Sequence, residues 1–184
     1  MIHLITGGAR SGKSTFALNE ALRIAPSGLI GFIATATAMD GDMAERIRRH
    51  QAERDQRFLT LEASVDLEVA LADPRPALFI VDCLTLWCSN LLFLGSSGHF
   101  LETEPDQPGF ELRVGELLAT LKGLDRPVLL VTNEVGMGIV PADRVTRTYR
   151  DWLGRLNQRV ASVSDRVTLL VSGIPLAVKG PSNP

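Results

Sequence analysis

A short apolar run followed at once by a glycine-rich loop is the feature that most constrains how this chain can fold. Residues 2–6 form the run, and the loop after them reads Gly7-Gly8-Ala9-Arg10-Ser11-Gly12-Lys13-Ser14, with the pattern Gly-x-x-x-x-Gly-Lys-Ser. In such a loop backbone N–H groups turn toward nucleotide phosphates, the lysine reaches the β- and γ-phosphates, and the serine hydroxyl binds Mg²⁺. The pattern predicts a strand, a phosphate-binding loop and a helix in that order. The alternative is a glycine-rich turn with no ligand.

The composition is typical of a single compact domain spanning residues 1–184. Of the 184 residues, 45% are apolar, which is enough for a substantial core. The 19 basic and 21 acidic residues leave a formal charge of −2, so no basic field favours nucleic acid as a partner. Two cysteines are too few for a disulfide scaffold, and no apolar run resembles a signal sequence or a membrane span. We therefore expect a cytoplasmic protein with a small-molecule partner, no nucleic acid and no membrane insertion.

Apolar, β-branched runs alternate with helix-length amphipathic segments. The runs cover residues 2–6, 29–34, 77–81, 128–132 and 167–172. This alternation predicts an α/β fold with a mostly parallel central sheet flanked by helices. In an open parallel sheet ligands bind outside the carboxyl ends of the strands, so the residues that follow each run are candidates for function. The Gly-, Ser- and Pro-rich residues 95–109 predict an exposed loop.

Asp82 follows the third run and is the first candidate outside the loop. A carboxylate at the carboxyl end of a strand can hold Mg²⁺, directly or through water, opposite Ser14. The alternative is that Asp82 caps the helix predicted to start near Cys83, since aspartate is a preferred capping residue.

A second candidate is His50, which lies on a predicted helix over residues 42–54. Arg46, His50 and Arg54 are spaced four residues apart and so share one face of that helix. Neighbouring cations disfavour the imidazolium, which would leave a nucleophilic nitrogen free at neutral pH, and the arginines could hold phosphates. Spacing alone favours the other interpretation, a solvated basic face with a histidine that takes no part in chemistry.

A third candidate is the segment of residues 133–141, which follows the fourth run. It places Asn133, Glu134 and two glycines on the ligand side of the predicted sheet. The segment is either a shaped binding loop or a connection whose glycines allow tight turns.

Seven motifs occur in one order along nearly the whole chain. They are Gly-Gly-Ala-Arg-Ser-Gly-Lys-Ser at 7–14, Ile-Ala-Thr at 33–35, Met-x-x-Arg-Ile-x-x-His at 43–50, Asp-Cys-Leu-Thr at 82–85, Asn-Leu-Leu-Phe at 90–93, Asn-Glu-Val-Gly-Met-Gly at 133–138 and Gly-Arg-Leu-Asn-Gln at 154–158. In this order they resemble the bifunctional adenosylcobinamide kinase / adenosylcobinamide-phosphate guanylyltransferase family. The resemblance implies a RecA-like P-loop NTPase fold and a homotrimer.

The resemblance also implies two reactions of cobalamin biosynthesis. ATP or GTP phosphorylates the aminopropanol hydroxyl of adenosylcobinamide, and GTP then transfers GMP to that phosphate, giving adenosylcobinamide-GDP and pyrophosphate. In the family the guanylyl group passes through a covalent histidine, and the matching position is His50. The expected cofactor is Mg²⁺, and the expected partners are the corrinoid adenosylcobinamide and its phosphate.

The site residues carried over by the resemblance fall into three sets. The expected catalytic residues are Lys13 and His50, and the expected Mg²⁺ ligands are Ser14 and Asp82. The expected nucleotide contacts are Gly7, Gly8, Ala9, Arg10, Ser11, Gly12, Lys13, Ser14, Ala34, Thr35, Ala36, Gln51, Ala52, Glu53, Arg54, Glu62 and Asp82. Two positions depart from the family pattern: Phe58 stands where tryptophan is common, and Asp82 stands where some members have glutamate.

Two other functions remain open from the sequence. One is a P-loop kinase or NTPase that acts on another small molecule without guanylyltransferase activity. The other is a nucleotide-binding regulatory module without catalysis. A dinucleotide-dependent oxidoreductase is excluded because no Gly-x-Gly-x-x-Gly follows the first run.

Overall fold

The computed structural model describes residues 1–36, 56–94 and 106–180. The predicted helix over residues 42–54 lies outside these ranges, and so does the predicted loop as far as residue 105.

The core of the fold is a seven-stranded sheet. Its strands are β1 (Ile2–Gly7), β2 (Ile30–Ala34), β3 (Phe58–Glu62), β4 (Leu78–Asp82), β5 (Val128–Val131), β6 (Arg166–Val171) and β7 (Ile174–Lys179). The order across the sheet is β3-β2-β4-β5-β1-β6-β7. Every neighbouring pair is parallel except β6 and β7, which form an antiparallel hairpin. The expected α/β fold with a mostly parallel sheet is therefore confirmed.

Each of the five apolar runs forms a strand, whereas β3 and β7 were not predicted. Strand β3 is an edge strand whose residues are half-buried or exposed, so it lacks the continuous apolar run of a central strand. Strand β7 is exposed along its whole length and contains Pro175. Proline disfavours strands in a sequence-based prediction, but an edge strand tolerates it because one row of its backbone groups is unpaired.

Helices cover both faces of the sheet. They are α1 (Lys13–Ile24), α2 (Leu67–Leu71), α3 (Leu84–Leu94), α4 (Gln107–Gly123) and α5 (Arg144–Val163). Successive residues of a strand point to opposite faces, so Leu4 packs in a core with α2 to α5 while Ile5 packs in a second core with α1. Across residues 1–36, 56–94 and 106–180, no helix has the length and apolar character that crossing a bilayer requires.

The prediction of a loop over residues 95–109 is wrong for its last three residues, because α4 begins at Gln107. The Asp106 side chain accepts a hydrogen bond of 3.0 Å from the Gly109 N–H and so caps the helix. Pro108 occupies the first turn, where its missing N–H leaves no intrahelical bond unmade. A capping aspartate followed by proline is a helix-start signal that the turn-forming composition of the segment obscured.

The strand order brings the candidate residues to one edge of the sheet. Strand β5 lies between β1, which leads into the glycine-rich loop, and β4, which ends at Asp82. The register pairs Val131 with both Ile5 and Asp82, and pairs Ala34 with Asp82. The carboxyl ends of β1, β5, β4 and β2 therefore lie side by side.

Candidate functional site

The glycine-rich loop has backbone conformations that glycine makes possible. The φ angles are +151° at Gly7 and +93° at Gly12, which precedes the first residue of α1. A Cβ at Gly7 would lie 2.5 Å from the Leu170 carbonyl oxygen, and one at Gly12 would lie 3.3 Å from the Cα of Gly173. The loop therefore depends on glycine for both conformation and close packing against the β6–β7 hairpin.

Lys13 is the buried charge of the loop. Its side chain is 7% exposed, and its Nζ donates to the Gly8 carbonyl oxygen at 2.6 Å and to Ser11 Oγ at 3.4 Å. Burial lowers the pKa of Lys13, and the nearby Cys83 and Asp82 oppose that change. The lysine is thus held over the loop and lies close enough to Asp82 for the two charges to interact.

Ser14 and Asp82 are the predicted Mg²⁺ ligands. Ser14 is exposed in the first turn of α1, and Asp82 is half-buried at the end of β4, two residues before α3 begins. Nowhere in the described part of the chain do three or more His, Cys, Asp or Glu side chains form a metal cage. A hydroxyl and one carboxylate fit Mg²⁺, which prefers oxygen ligands and takes most of them from water and phosphate.

Thr35 is placed by the fold in a structural role. It is fully buried, and its hydroxyl donates to the Cys83 carbonyl oxygen and accepts from the Cys83 N–H, both at 2.8 Å. Its hydroxyl therefore joins the end of β2 to the end of β4. Ala34 and Ala36, on either side, are half-buried.

Asn90 was among the family motifs, but no role was predicted for it. Its Nδ2 donates to the Thr35 carbonyl oxygen at 2.8 Å and to the Ser64 carbonyl oxygen at 2.9 Å. This side chain fixes the segments that follow β2 and β3. In the sequence, Asn90 could have been noticed as a single amide side chain within the largely apolar segment that forms α3.

Glu62 lies far from the glycine-rich loop. It is the exposed last residue of β3 and borders a cleft of about 450 Å³ that also involves Ser64, Asp66 and Val69. Strand β3 is four strands from β1, which corresponds to about 19 Å at the usual strand spacing. A single nucleotide that contacts both Glu62 and the loop of the same chain would have to span this distance.

The loop after β5 is anchored to its neighbours. The Asn133 N–H donates to Thr85 Oγ1 at 2.7 Å, and the Asn133 carbonyl oxygen accepts from Asn157 Nδ2 at 3.0 Å. The Glu134 N–H donates to the Gly7 carbonyl oxygen at 3.1 Å. Thr85 and Asn157 belong to two of the family motifs, but their role as positioning residues was not predicted because their partners come from other elements.

Gly136 fits the shaped-loop interpretation of this segment. Its N–H donates to Glu134 Oε1 at 2.6 Å, and a Cβ there would lie 2.9 Å from the same oxygen. The φ angle of Gly136 is not in the positive range that favours glycine. Its lack of a side chain therefore serves the close approach of the Glu134 carboxylate, not an unusual turn.

The remaining predicted site residues fall outside the described ranges. They are His50, Gln51, Ala52, Glu53 and Arg54.

Comparison with known proteins gives one family over nearly the whole chain. A family model described as cobinamide kinase / cobinamide phosphate guanyltransferase matches residues 3–178. The chain is 42% identical over 183 residues to the bifunctional adenosylcobalamin biosynthesis protein CobP of Pseudomonas aeruginosa, covering 98% of both chains. It is 39% identical over 188 residues to CobU of Escherichia coli, a protein with the same description, covering 97% of this chain and 100% of the relative.

Solved structures show the same fold. The flagellar accessory protein FlaH of Methanocaldococcus jannaschii superimposes with a TM-score of 0.51 at 11% identity, covering 97% of this chain and 78% of FlaH. At this identity the likeness concerns fold alone, and it agrees with the expected RecA-like fold.

Proposed function

We propose, because this chain belongs to the cobinamide kinase / cobinamide phosphate guanyltransferase family, that its glycine-rich loop presents a nucleoside triphosphate for two different transfers. The enzyme acts in cobalamin biosynthesis, as a kinase on cobinamide and as a guanylyltransferase on cobinamide phosphate. The observation that carries the proposal is the position of Lys13. It is buried over the loop and lies close to Asp82.

In the kinase step the γ-phosphoryl group of ATP or GTP moves to the aminopropanol hydroxyl of adenosylcobinamide. The loop N–H groups between Gly8 and Lys13 hold the phosphates, and the Lys13 ammonium neutralises charge that develops on the leaving diphosphate. Ser14 and Asp82 would hold Mg²⁺, which supplies further charge neutralisation at the phosphates when bound. The chain's own contribution is thus positioning and electrostatic stabilisation.

In the guanylyl step His50 is the nucleophile. Its imidazole nitrogen forms a bond to the α-phosphorus of GTP, and pyrophosphate leaves with the electron pair of the broken P–O bond. A phosphate oxygen of adenosylcobinamide phosphate then attacks the same phosphorus, the P–N bond breaks, and adenosylcobinamide-GDP forms. Nucleotide contacts at residues 34–36, residues 51–54 and Glu62 complete this proposal.

The two transfers are separable by isotope labelling. Incubation with GTP labelled at the α-phosphorus should leave acid-labile, base-stable label on the denatured wild-type protein. A His50→Ala variant should carry no label yet still phosphorylate adenosylcobinamide, while a His99→Ala control should be labelled like the wild type. An unlabelled wild-type protein would contradict the covalent histidine, and label that survives in His50→Ala would assign another nucleophile.

We also propose that the protein is a cytoplasmic homotrimer, as the family resemblance implies. One chain has a mass of 20.0 kDa. Light scattering coupled to size exclusion should therefore report the mass of three chains. The mass of one chain under conditions of full activity would contradict the trimer.

A further inference from the structure

The kinase step needs a group that receives the proton of the acceptor hydroxyl, and β4 offers only Asp82. No carboxylate follows Asp82 from residue 83 to residue 94. Thr85 Oγ1, close behind it in the chain, already accepts from the Asn133 N–H. Because Asp82 is proposed to bind metal, the candidate base among the described residues is a carboxylate that follows a neighbouring strand.

Glu134 is the first carboxylate after β5, the strand between β1 and β4. Its backbone N–H donates to the carbonyl oxygen of Gly7, the first residue of the glycine-rich loop, at 3.1 Å. The side chain is half-exposed, and the Gly136 N–H holds its Oε1 at 2.6 Å. The backbone of Glu134 thus contacts the phosphate loop, while its carboxylate is held by Gly136 and stays partly open to solvent.

The residues after Glu134 form an exposed apolar surface, which we call the 135–140 surface. Met137 is 82% exposed and Ile139 is 97% exposed, and Val135 and Val140 are exposed as well. The surface is continuous with the phosphate loop through Glu134. Arg150 steadies it by donating to the Gly136 carbonyl oxygen at 2.9 Å. Apolar side chains exposed beside a nucleotide site indicate a binding surface for a large, partly apolar substrate.

We propose that Glu134 is the catalytic base of the kinase step and that the 135–140 surface binds the corrinoid, bringing its aminopropanol hydroxyl to the Glu134 carboxylate. This inference rests on the proposed function, because it takes cobinamide as the acceptor. The corrin macrocycle suits the surface, since its broad, methyl-bearing faces gain from apolar contact.

The phosphoryl transfer involves the acceptor hydroxyl, the γ-phosphate of the nucleotide and the Glu134 carboxylate. The hydroxyl oxygen forms a bond to the γ-phosphorus as its proton passes to the Glu134 carboxylate. The bond from the γ-phosphorus to the bridging oxygen breaks, and its electron pair leaves with the nucleoside diphosphate. Glu134 then returns the proton to water.

A Glu134→Gln variant tests the base. The kcat for phosphorylation of adenosylcobinamide should fall by about 100-fold, the usual effect of losing a general base, with the nucleotide KM within about twofold of wild type. The amide can still accept from Gly136, so the loop should keep its shape. A Glu116→Gln control, on the exposed side of α4 in an ion pair with Arg113, should match wild type. A fall of less than about threefold would overturn the base assignment.

The guanylyl half-reaction separates this proposal from a damaged nucleotide site. Glu134→Gln should form the labelled guanylyl enzyme from GTP and pass GMP to presynthesised adenosylcobinamide phosphate at wild-type rates. Loss of both half-reactions would show that Glu134 shapes the nucleotide loop, which overturns its role as base. Absence of both in the wild type would instead contradict the proposed function itself.

A double variant, Met137→Ser with Ile139→Ser, tests the surface. The KM for adenosylcobinamide should rise at least about 10-fold through lost apolar contact, with kcat and nucleotide KM unchanged. Leu112→Ser, which removes an exposed apolar side chain on α4, is the matched control. An unchanged KM for adenosylcobinamide would overturn the assignment and show that the surface is inert. An unchanged KM together with a changed molecular mass would overturn it and show that the surface is a subunit interface.

Discussion

At the scale of single residues, His3 is a buried histidine whose pKa is set by the fold. It matches no functional motif and is fully buried in β1, where its Nε2 shares a hydrogen bond of 2.8 Å with Thr168 Oγ1. Burial lowers its pKa to about 4; Glu20 opposes the shift, whereas Arg166 and Arg23 reinforce it. The imidazole is therefore neutral in the folded protein at neutral pH.

This depressed pKa makes stability depend on pH. The unfolded chain takes up the proton near pH 6.5 and the folded chain only near pH 4. The contribution of His3 to the free energy of unfolding is therefore fully present above pH 6.5 and is lost as the pH falls toward 4. By pH 5 the loss should reach about 2 kcal/mol. Urea unfolding at pH 7.5 and pH 5 measures it, and His3→Gln, which cannot titrate, should lose much less. An equal loss in His3→Gln would contradict this origin.

Thr35 and Asp82 show what could and could not be predicted about individual site residues. Both follow apolar runs, so their positions at strand ends were readable from the sequence. The use of the Thr35 hydroxyl was not readable, because it is engaged by Cys83, 48 residues away, only once β2 and β4 are neighbours.

At the scale of elements, Asn90 connects α3 to the ends of two strands. Its Nδ2 serves two backbone carbonyls, those of Thr35 and Ser64. Asn90→Ala should leave both without this donor and lower the free energy of unfolding by about 2 kcal/mol. It should also raise the nucleotide KM, since β2 ends at a proposed nucleotide contact. Chemical denaturation against a Ser89→Ala control on the same helix tests this, and a change equal to the control would contradict it.

The elements differed in how readable they were from sequence. Central strands such as β4 and β5 are continuous apolar runs because helices bury both of their faces, and their positions were predicted. Strands β3 and β7 lie at the edges of the sheet, where burial does not enforce an apolar run, and both were missed. The start of α4 was missed because Gly and Pro suit a first helical turn as well as a loop.

At the scale of the whole molecule, ligand binding should stabilise the fold through the glycine-rich loop. GTP with Mg²⁺ at 100 times its Kd should add about 2.7 kcal/mol of stability, or about 5–10 °C in Tm for a chain of this size. Lys13→Ala should lose most of that shift because it removes a phosphate-binding charge. Differential scanning fluorimetry measures it, with the exposed Lys122→Ala as control, and a full shift in Lys13→Ala would contradict the role of Lys13.

The sequence by itself determined the family, the class of fold and the phosphate-binding loop. Those features are local: consecutive residues carry the loop, and each central strand is one apolar run. Only the tertiary structure decided that β5 separates β1 from β4, that Glu134 meets Gly7, and that Glu62 lies four strands away from the loop. Strand order depends on how the crossover helices pack against the sheet, which involves residues distant in the chain, so no short stretch of sequence encodes it.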